Sequence, residues 1–161
     1  MTDPTVHANP TVHASCVIVG TVGILLCGAS GSGKSSLGDR LVEATRCRGH
    51  FAAWVSDDRT RLEQAGNVLI ARPAAAIAGQ LEVRGVGIMK TAFEPAASVD
   101  LILDLKPAPE IPRLLDEQER SDTIDNLVLP RFPIAEGQVD EALRRIRWIL
   151  RGLFPDQPDY F

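Results

Sequence analysis

Gly28-Ala29-Ser30-Gly31-Ser32-Gly33-Lys34-Ser35 fits the pattern G-x-x-x-x-G-K-[ST], and it stands between an apolar run and a helix-forming segment, where that pattern has physical meaning. Residues 17–27 before it are almost wholly apolar, as a strand covered on both faces would be. Residues 35–45 after it place Leu37, Leu41, Val42 and Ala44 at helical spacing. A strand, a glycine-rich loop and a helix in that order make a phosphate cradle. The glycines let the loop wrap round a polyphosphate, its N–H groups point inward, and the helix N-terminus adds partial positive charge. Lys34 is expected to reach the β- and γ-phosphates, and the Ser35 hydroxyl to ligate Mg²⁺. The implied ligand is ATP or a related nucleotide.

The rest of the composition bounds the answer without choosing a reaction. A chain of 161 residues, 45% of them hydrophobic, suits one compact α/β domain with a substantial core. A net charge of −4 argues against nucleic acid as the main partner. Cys16, Cys27 and Cys47 have neither metal-ligand spacing nor an even count, and they read as reduced core thiols. There is no basic-then-apolar leader pattern, and no apolar stretch reaches the ~18 residues of a membrane span. A cytoplasmic protein is expected.

Residues 1–10 are polar and contain Pro4 and Pro10, so they read as a flexible lead-in to a domain over 11–155, with 156–161 as a C-terminal tail. Thr5-Val6-His7-Ala8 recurs as Thr11-Val12-His13-Ala14; His13 is favoured because it leads directly into the strand. Residues 51–55 read as a second buried strand. Residues 59–65 read as a strand or connector, 67–71 as a strand ending in a turn at Pro73, and 74–80 as a short helix before a strand at 81–84. Residues 99–105 suit a central strand, and 114–123 a solvated loop or helical turn. Pro130 and Pro133 limit a last strand to 127–129. An amphipathic helix over Val139–Leu153 puts Val139, Leu143, Ile146, Ile149, Leu150 and Leu153 on one face and most of its arginines elsewhere.

Transfer chemistry needs groups beyond the cradle. Asp57 and Asp58 end the second strand and point to opposite sides, so they suit different tasks: one accepts a proton, the other orients Mg²⁺ or a loop. Glu82 and Arg84 share one strand face before a double-glycine turn. On physics alone they are either a metal and phosphate pair or a cross-strand ion pair.

Taken together these residues resemble the catalytic domain of HPr kinase/phosphorylase. His13, Gly20, Gly23, the cradle at 28–35, Ser56-Asp57-Asp58 and the run Glu82-Val83-Arg84-Gly85-Val86-Gly87-Ile88 occur in that family's order and close to its spacing. The last run matches its signature E-[VI]-R-G-[LV]-G-I. The resemblance implies a P-loop kinase domain with a mixed central sheet and flanking helices, using ATP and Mg²⁺. It makes Asp57 the proton acceptor when a serine hydroxyl of HPr or an HPr-like phosphocarrier attacks the γ-phosphoryl, and the proton donor in phosphorolysis. Lys34 would bind the nucleotide phosphates, Ser35 and Glu82 would hold Mg²⁺ with Asp58 beside them, and His13 would orient or neutralise a phosphate. Arg84 falls in the segment used in both directions. A homo-hexamer is implied by the resemblance, while the charge and the lack of a long apolar stretch lead to the expectation of no nucleic-acid and no membrane partner.

Departures from the family pattern mark the chain as resembling a short form with the catalytic domain alone. Where the long form has a Gly-Arg-Asn run carrying a catalytic arginine, this chain has Gly137-Gln138, so Arg131 or Arg113 would have to substitute in space. The phosphorylase half of the activity depends on that arginine and on a C-terminal segment more than the kinase half does. Two other classes fit a phosphate cradle: a nucleotide-binding regulator without transfer activity, and a small-molecule P-loop kinase with an arginine-bearing lid.

Overall fold

The computed structural model describes residues 11–161; the lead-in expected at 1–10 lies outside the described residues. Its centre is a six-stranded mixed sheet. In spatial order the strands are β11 (Ser121–Ile124), β12 (Leu127–Ala135), β10 (Leu101–Lys106), β3 (Val22–Gly28), β2 (Ala14–Val19) and β4 (Ala52–Ser56). β3, β10 and β12 run parallel. β2 is antiparallel to both its neighbours, so β4 also runs in the direction of β3. The C-terminal ends of β3 and β4 therefore share one edge, where α/β folds build their sites.

Alternation along the central strands explains why they read as continuous apolar runs. Val17, Val19, Val22, Ile24, Leu26, Leu101, Leu103 and Leu105 face one side and pack on helix α1 (Lys34–Cys47) and helix α2 (Val139–Leu153). Ala14, Cys16, Leu25 and Ile102 face the other side and meet Leu69 and Ala71 of a second sheet. That sheet has the order β1 (Thr11–Val12), β5 (Thr60–Ala65), β6 (Val68–Pro73) and β9 (Ala97–Ser98). Both helices thus lie on one face, and strands cover the other. A separate hairpin, β7 (Gln80–Val83) with β8 (Gly87–Lys90), flanks the site edge. Between β6 and β7, the helix expected over 74–80 is a single 3₁₀ turn at Ala75–Ile77.

Residues 17–27 are two strands rather than one. Gly20 and Thr21 form a two-residue hairpin turn, Val19 pairs with Val22, and Gly20 takes φ 59°. The prolines of β12 do not stop it either: the strand runs nine residues. Asp125 and Asn126, both at positive φ, turn β11 into β12. The Glu136 N–H donates to Lys106 O, so even-numbered residues of this strand bond toward β10, and the missing N–H of Pro133 falls on the open side. Pro130 precedes the first residue paired with β10, Arg131.

The segment 156–161, expected as a tail, ends packed into the domain. Tyr160 and Phe161 are buried, and Tyr160 lies against Gly20. Two arginines of α2 hold this segment: Arg147 Nε donates to Phe161 O at 2.8 Å, and Arg151 makes a two-pronged pair with Asp159. A Cβ on Gly20 would stand 2.0 Å from the Tyr160 ring, whereas one on Gly66, also at positive φ, meets open space. Gly66→Ala should therefore cost about 1 kcal/mol from backbone strain alone. Gly20→Ala should cost about 3 kcal/mol or more, because a ring must also move. Urea unfolding reads the difference; equal losses would mean that Tyr160 does not pack there.

The cysteines divide differently from the expectation of three core thiols. Cys16 is fully buried, Cys27 is partly buried, and Cys47 is exposed at the end of α1. Burial pushes the Cys16 thiol up to about 12 and the Cys27 thiol up to about 11, so both stay protonated at neutral pH. Iodoacetamide at about pH 8 is expected to modify native protein at Cys47 alone, as peptide mass spectrometry would show. Rapid labelling of Cys16 would contradict this packing. Among the described residues no helix is long and apolar enough to cross a membrane.

Candidate active site

The loop between β3 and α1 takes its shape from its glycines. Gly28, Gly31 and Gly33 take φ of 151°, 78° and 96°, and a Cβ at Gly28 would press on Ser32 Oγ and Leu105. The first helical bond runs from Leu37 N–H to Gly33 O, and no side chain caps the helix. The leading amides of α1 are thus left to whatever occupies the loop. Lys34 is only 5% exposed, yet its ammonium meets two neutral carbonyls, Gly28 O at 3.0 Å and Ala29 O at 3.1 Å. Ser32 Oγ is buried and finds no hydrogen-bond partner among the described residues. Among the described residues Lys34 forms no ion pair and Ser32 Oγ has no partner, and phosphate oxygens would satisfy both. The loop fits the polyphosphate that its sequence implies.

A cleft of about 310 Å³ opens beside this loop. Its floor is Ser30, Gly31, Gly33, Lys34, Ser35 and Ser36; its walls are Asp57 and Asp58 from the end of β4, and Glu82 and Arg84 from the β7–β8 hairpin. The hairpin turns through Arg84, Gly85 and Val86, with Gly85 at φ 81°, and Gly87 at φ 118° opens β8 opposite Val83. Glu82 and Arg84 face the cleft, and no ion pair between them occurs among the described residues.

The two aspartates do point different ways. Asp57 is 8% exposed, and its Oδ1 accepts hydroxyls from Ser35 at 2.7 Å and Ser15 at 2.9 Å. Asp58 is exposed, and its Oδ1 lies 2.5 Å from His13 Nε2. Of the two, Asp57 rather than Asp58 touches Ser35, while His13 reaches the cleft only through Asp58. Ser35, Asp57, Asp58 and Glu82 give the cleft an all-oxygen donor set of the kind Mg²⁺ prefers. No group of three His, Cys, Asp or Glu converges tightly enough for a dedicated cage among the described residues. Mg²⁺ needs none, since it usually takes one or two carboxylates and completes its shell with phosphate oxygens and water.

Neither candidate stand-in for the absent arginine reaches this cleft. Arg131 is locked across the sheet, with Nε and Nη2 on Asp104 at 2.5 and 2.8 Å and Nη1 on Asp122; these carboxylates hold its guanidinium above the usual arginine range. Arg113 lines a groove between the 107–120 connector and α2. Gln138 lines a second cavity of about 480 Å³ on the other side of the loop, with Gly31, Ser36 and Leu37. Arg84 is the arginine that lines the cleft itself. Sequence reading missed Ser15; a lone hydroxyl inside an apolar strand, two residues after His13, was the signal.

This arrangement has counterparts among known proteins. Residues 5–138 match the family model described as the HPr serine kinase C-terminal domain. An HPr kinase/phosphorylase from Geobacillus thermodenitrificans is 36% identical over 134 residues, covering 76% of this chain and 41% of that relative. One from Neisseria meningitidis is 29% identical over 167 residues, covering 92% of this chain and 50% of that protein. The chain spans half or less of the length of these curated relatives. A solved structure, the HPr(Ser) kinase/phosphatase from Coxiella burnetii, superposes with a TM-score of 0.68 at 25% identity, over 88% of this chain and 99% of that one. By this match the mixed sheet with its phosphate loop is the fold of that catalytic domain, and the chain belongs to the HPr serine kinase C-terminal domain family.

Proposed function

We propose that this domain transfers the γ-phosphoryl of ATP to a serine of HPr or an HPr-like phosphocarrier, with Mg²⁺ required. The observation that carries the reading is the contact of Asp57 Oδ1 with Ser35 Oγ at 2.7 Å, which sets a carboxylate at the lip of a phosphate loop. Lys34 and the leading amides of α1 bind the phosphates. Ser35 and Glu82 hold Mg²⁺, with Asp58 alongside; when bound, the ion neutralises phosphate charge. Asp57 takes the proton of the attacking serine hydroxyl, and its hydroxyl partners keep it aimed. His13 acts through its contact with Asp58, orienting that carboxylate beside the cleft. Arg84 contacts the transferred group from the hairpin.

The cleft is an open trough at the sheet edge, which suits a serine presented on another protein's surface. With Arg131 held by two carboxylates and Gln138 at the arginine position, Arg84 is the one arginine lining the cleft among the described residues. The reverse reaction, in which inorganic phosphate removes the phosphoryl group as pyrophosphate, brings more negative charge to the site and should be the weaker activity. The same shortage favours, as a second reading, a regulator that binds nucleotide without transfer. The reading also carries a cytoplasmic homo-hexamer, which sedimentation would detect.

The test is incubation with Mg-ATP and an HPr-type carrier from the same source, followed by mass spectrometry of the carrier. One phosphate on serine is the expected result, and its loss with pyrophosphate release on adding phosphate would add the reverse activity. ATP binding without carrier modification would favour the regulator.

A further inference from the structure

Ser15 is wholly buried on β2, and its hydroxyl serves both site aspartates at once. It donates to Asp57 Oδ1 at 2.9 Å and accepts from the Asp58 N–H at 3.1 Å. The turn it holds is not a relaxed one. Asp58 sits at φ 63°, in the left-handed region that a side chain disfavours, and the Arg59 N–H closes a three-residue turn onto Asp57 O at 2.7 Å. The β2–β4 register slips between Cys16 and Val17, leaving Val55 as an extra residue on β4 just before the aspartates. Asp57 thus stands between a bulge and a strained turn, and such strain persists only when surrounding contacts over-determine it.

Both hydroxyl bonds to Asp57 fall on Oδ1, and Oδ2 has no hydrogen bond among the described residues. Ser35 belongs to the phosphate loop, so its hydroxyl is shared with whatever that loop holds. The Ser15 contact is independent of the loop. We infer that Ser15 is a positioning residue: by bridging Asp57 Oδ1 and the Asp58 amide it holds the strained turn and leaves Asp57 Oδ2 to face the acceptor hydroxyl. No bond is made or broken at Ser15 itself.

The kinetic arm of the test rests on the kinase reading above; a second arm does not. With Mg-ATP and the carrier, Ser15→Ala should lower kcat by about 10- to 100-fold, as expected when a reacting group loses its alignment. KM for ATP should stay within about twofold, because the phosphate loop is untouched. Ser15→Thr, which keeps the hydroxyl, should recover most of kcat. In the substrate-free protein, exchange of the Asp58 amide should rise on the order of tenfold in Ser15→Ala relative to the amides of β3, and stay slow in Ser15→Thr. An unchanged kcat, or a loss shared with KM that Ser15→Thr does not recover, overturns the inference. So does unchanged Asp58 exchange. A wild-type protein that leaves the carrier unmodified would instead sink the kinase reading, and Asp58 exchange would still decide the role of Ser15.

Discussion

Asp57→Asn is expected to lower serine phosphorylation by about 10²- to 10⁴-fold, the usual contribution of a positioned general base, while leaving the Kd for ATP within a few-fold. The asparagine amide oxygen can still accept the hydroxyls of Ser15 and Ser35, so the local structure has no reason to collapse. What disappears is the charge and basicity of a carboxylate only 8% exposed beside the cradle. Steady-state transfer to the carrier and equilibrium nucleotide binding, measured on the same preparation, separate the two effects. Transfer within tenfold of wild type would remove Asp57 from the mechanism.

Lys34→Ala acts on the other half of the site. Its ammonium is held by two loop carbonyls at 3.0 and 3.1 Å, and in the proposed complex it also meets the phosphates. Hydrogen bonds to a charged group contribute about 1.5–3 kcal/mol. At about 1.4 kcal/mol per tenfold, Kd for ATP should rise about 10- to 100-fold. The unliganded fold should not weaken in step, because a largely buried cation hydrogen-bonded only to neutral carbonyls, with no ion pair among the described residues, gives the fold little in return for its desolvation. The melting temperature of the apo protein is therefore expected to hold or rise while calorimetric affinity falls. An unchanged Kd would mean that Lys34 does not meet the phosphates; a large loss of melting temperature would mean that its role is structural.

The parts of this molecule legible in its sequence are those where one local rule acts alone. The phosphate loop is one, because left-handed glycines and an uncapped helix start are encoded residue by residue. Helix α2 is another: its apolar period ends where the helix ends, at Leu153. Asp57 and Asp58 could be placed just after a strand and Glu82 on one, from a two-residue period, whereas Arg84, expected on the same strand face, lies in the turn that follows Val83.

What stayed hidden depends on partners distant in sequence. Residues 17–27 are apolar on both faces because helices cover one side of the sheet and β6 the other, and that uniformity concealed the Gly20-Thr21 turn. Pro130 and Pro133 look like stops until the ladder shows that neither is asked for a bond it cannot make. Tyr160 and Phe161 read as a tail because their anchors, Arg147, Arg151 and Gly20, lie on other elements. Ser15 meets Asp57 across 42 residues, through a bulge that no local pattern announces. The different surroundings of the two aspartates are likewise set by elements distant in sequence, Ser35 meeting Asp57 and His13 meeting Asp58.

The most direct measurement is carrier-dependent ATP consumption by the wild-type protein, run in parallel with an HPr-type carrier and with the same carrier bearing alanine at its acceptor serine. ATP is expected to be consumed in step with the phosphoserine formed on the first carrier, and consumption to fall to the background rate with the second. ATP that binds but is not consumed with either carrier, or is consumed equally with both, would contradict that expectation.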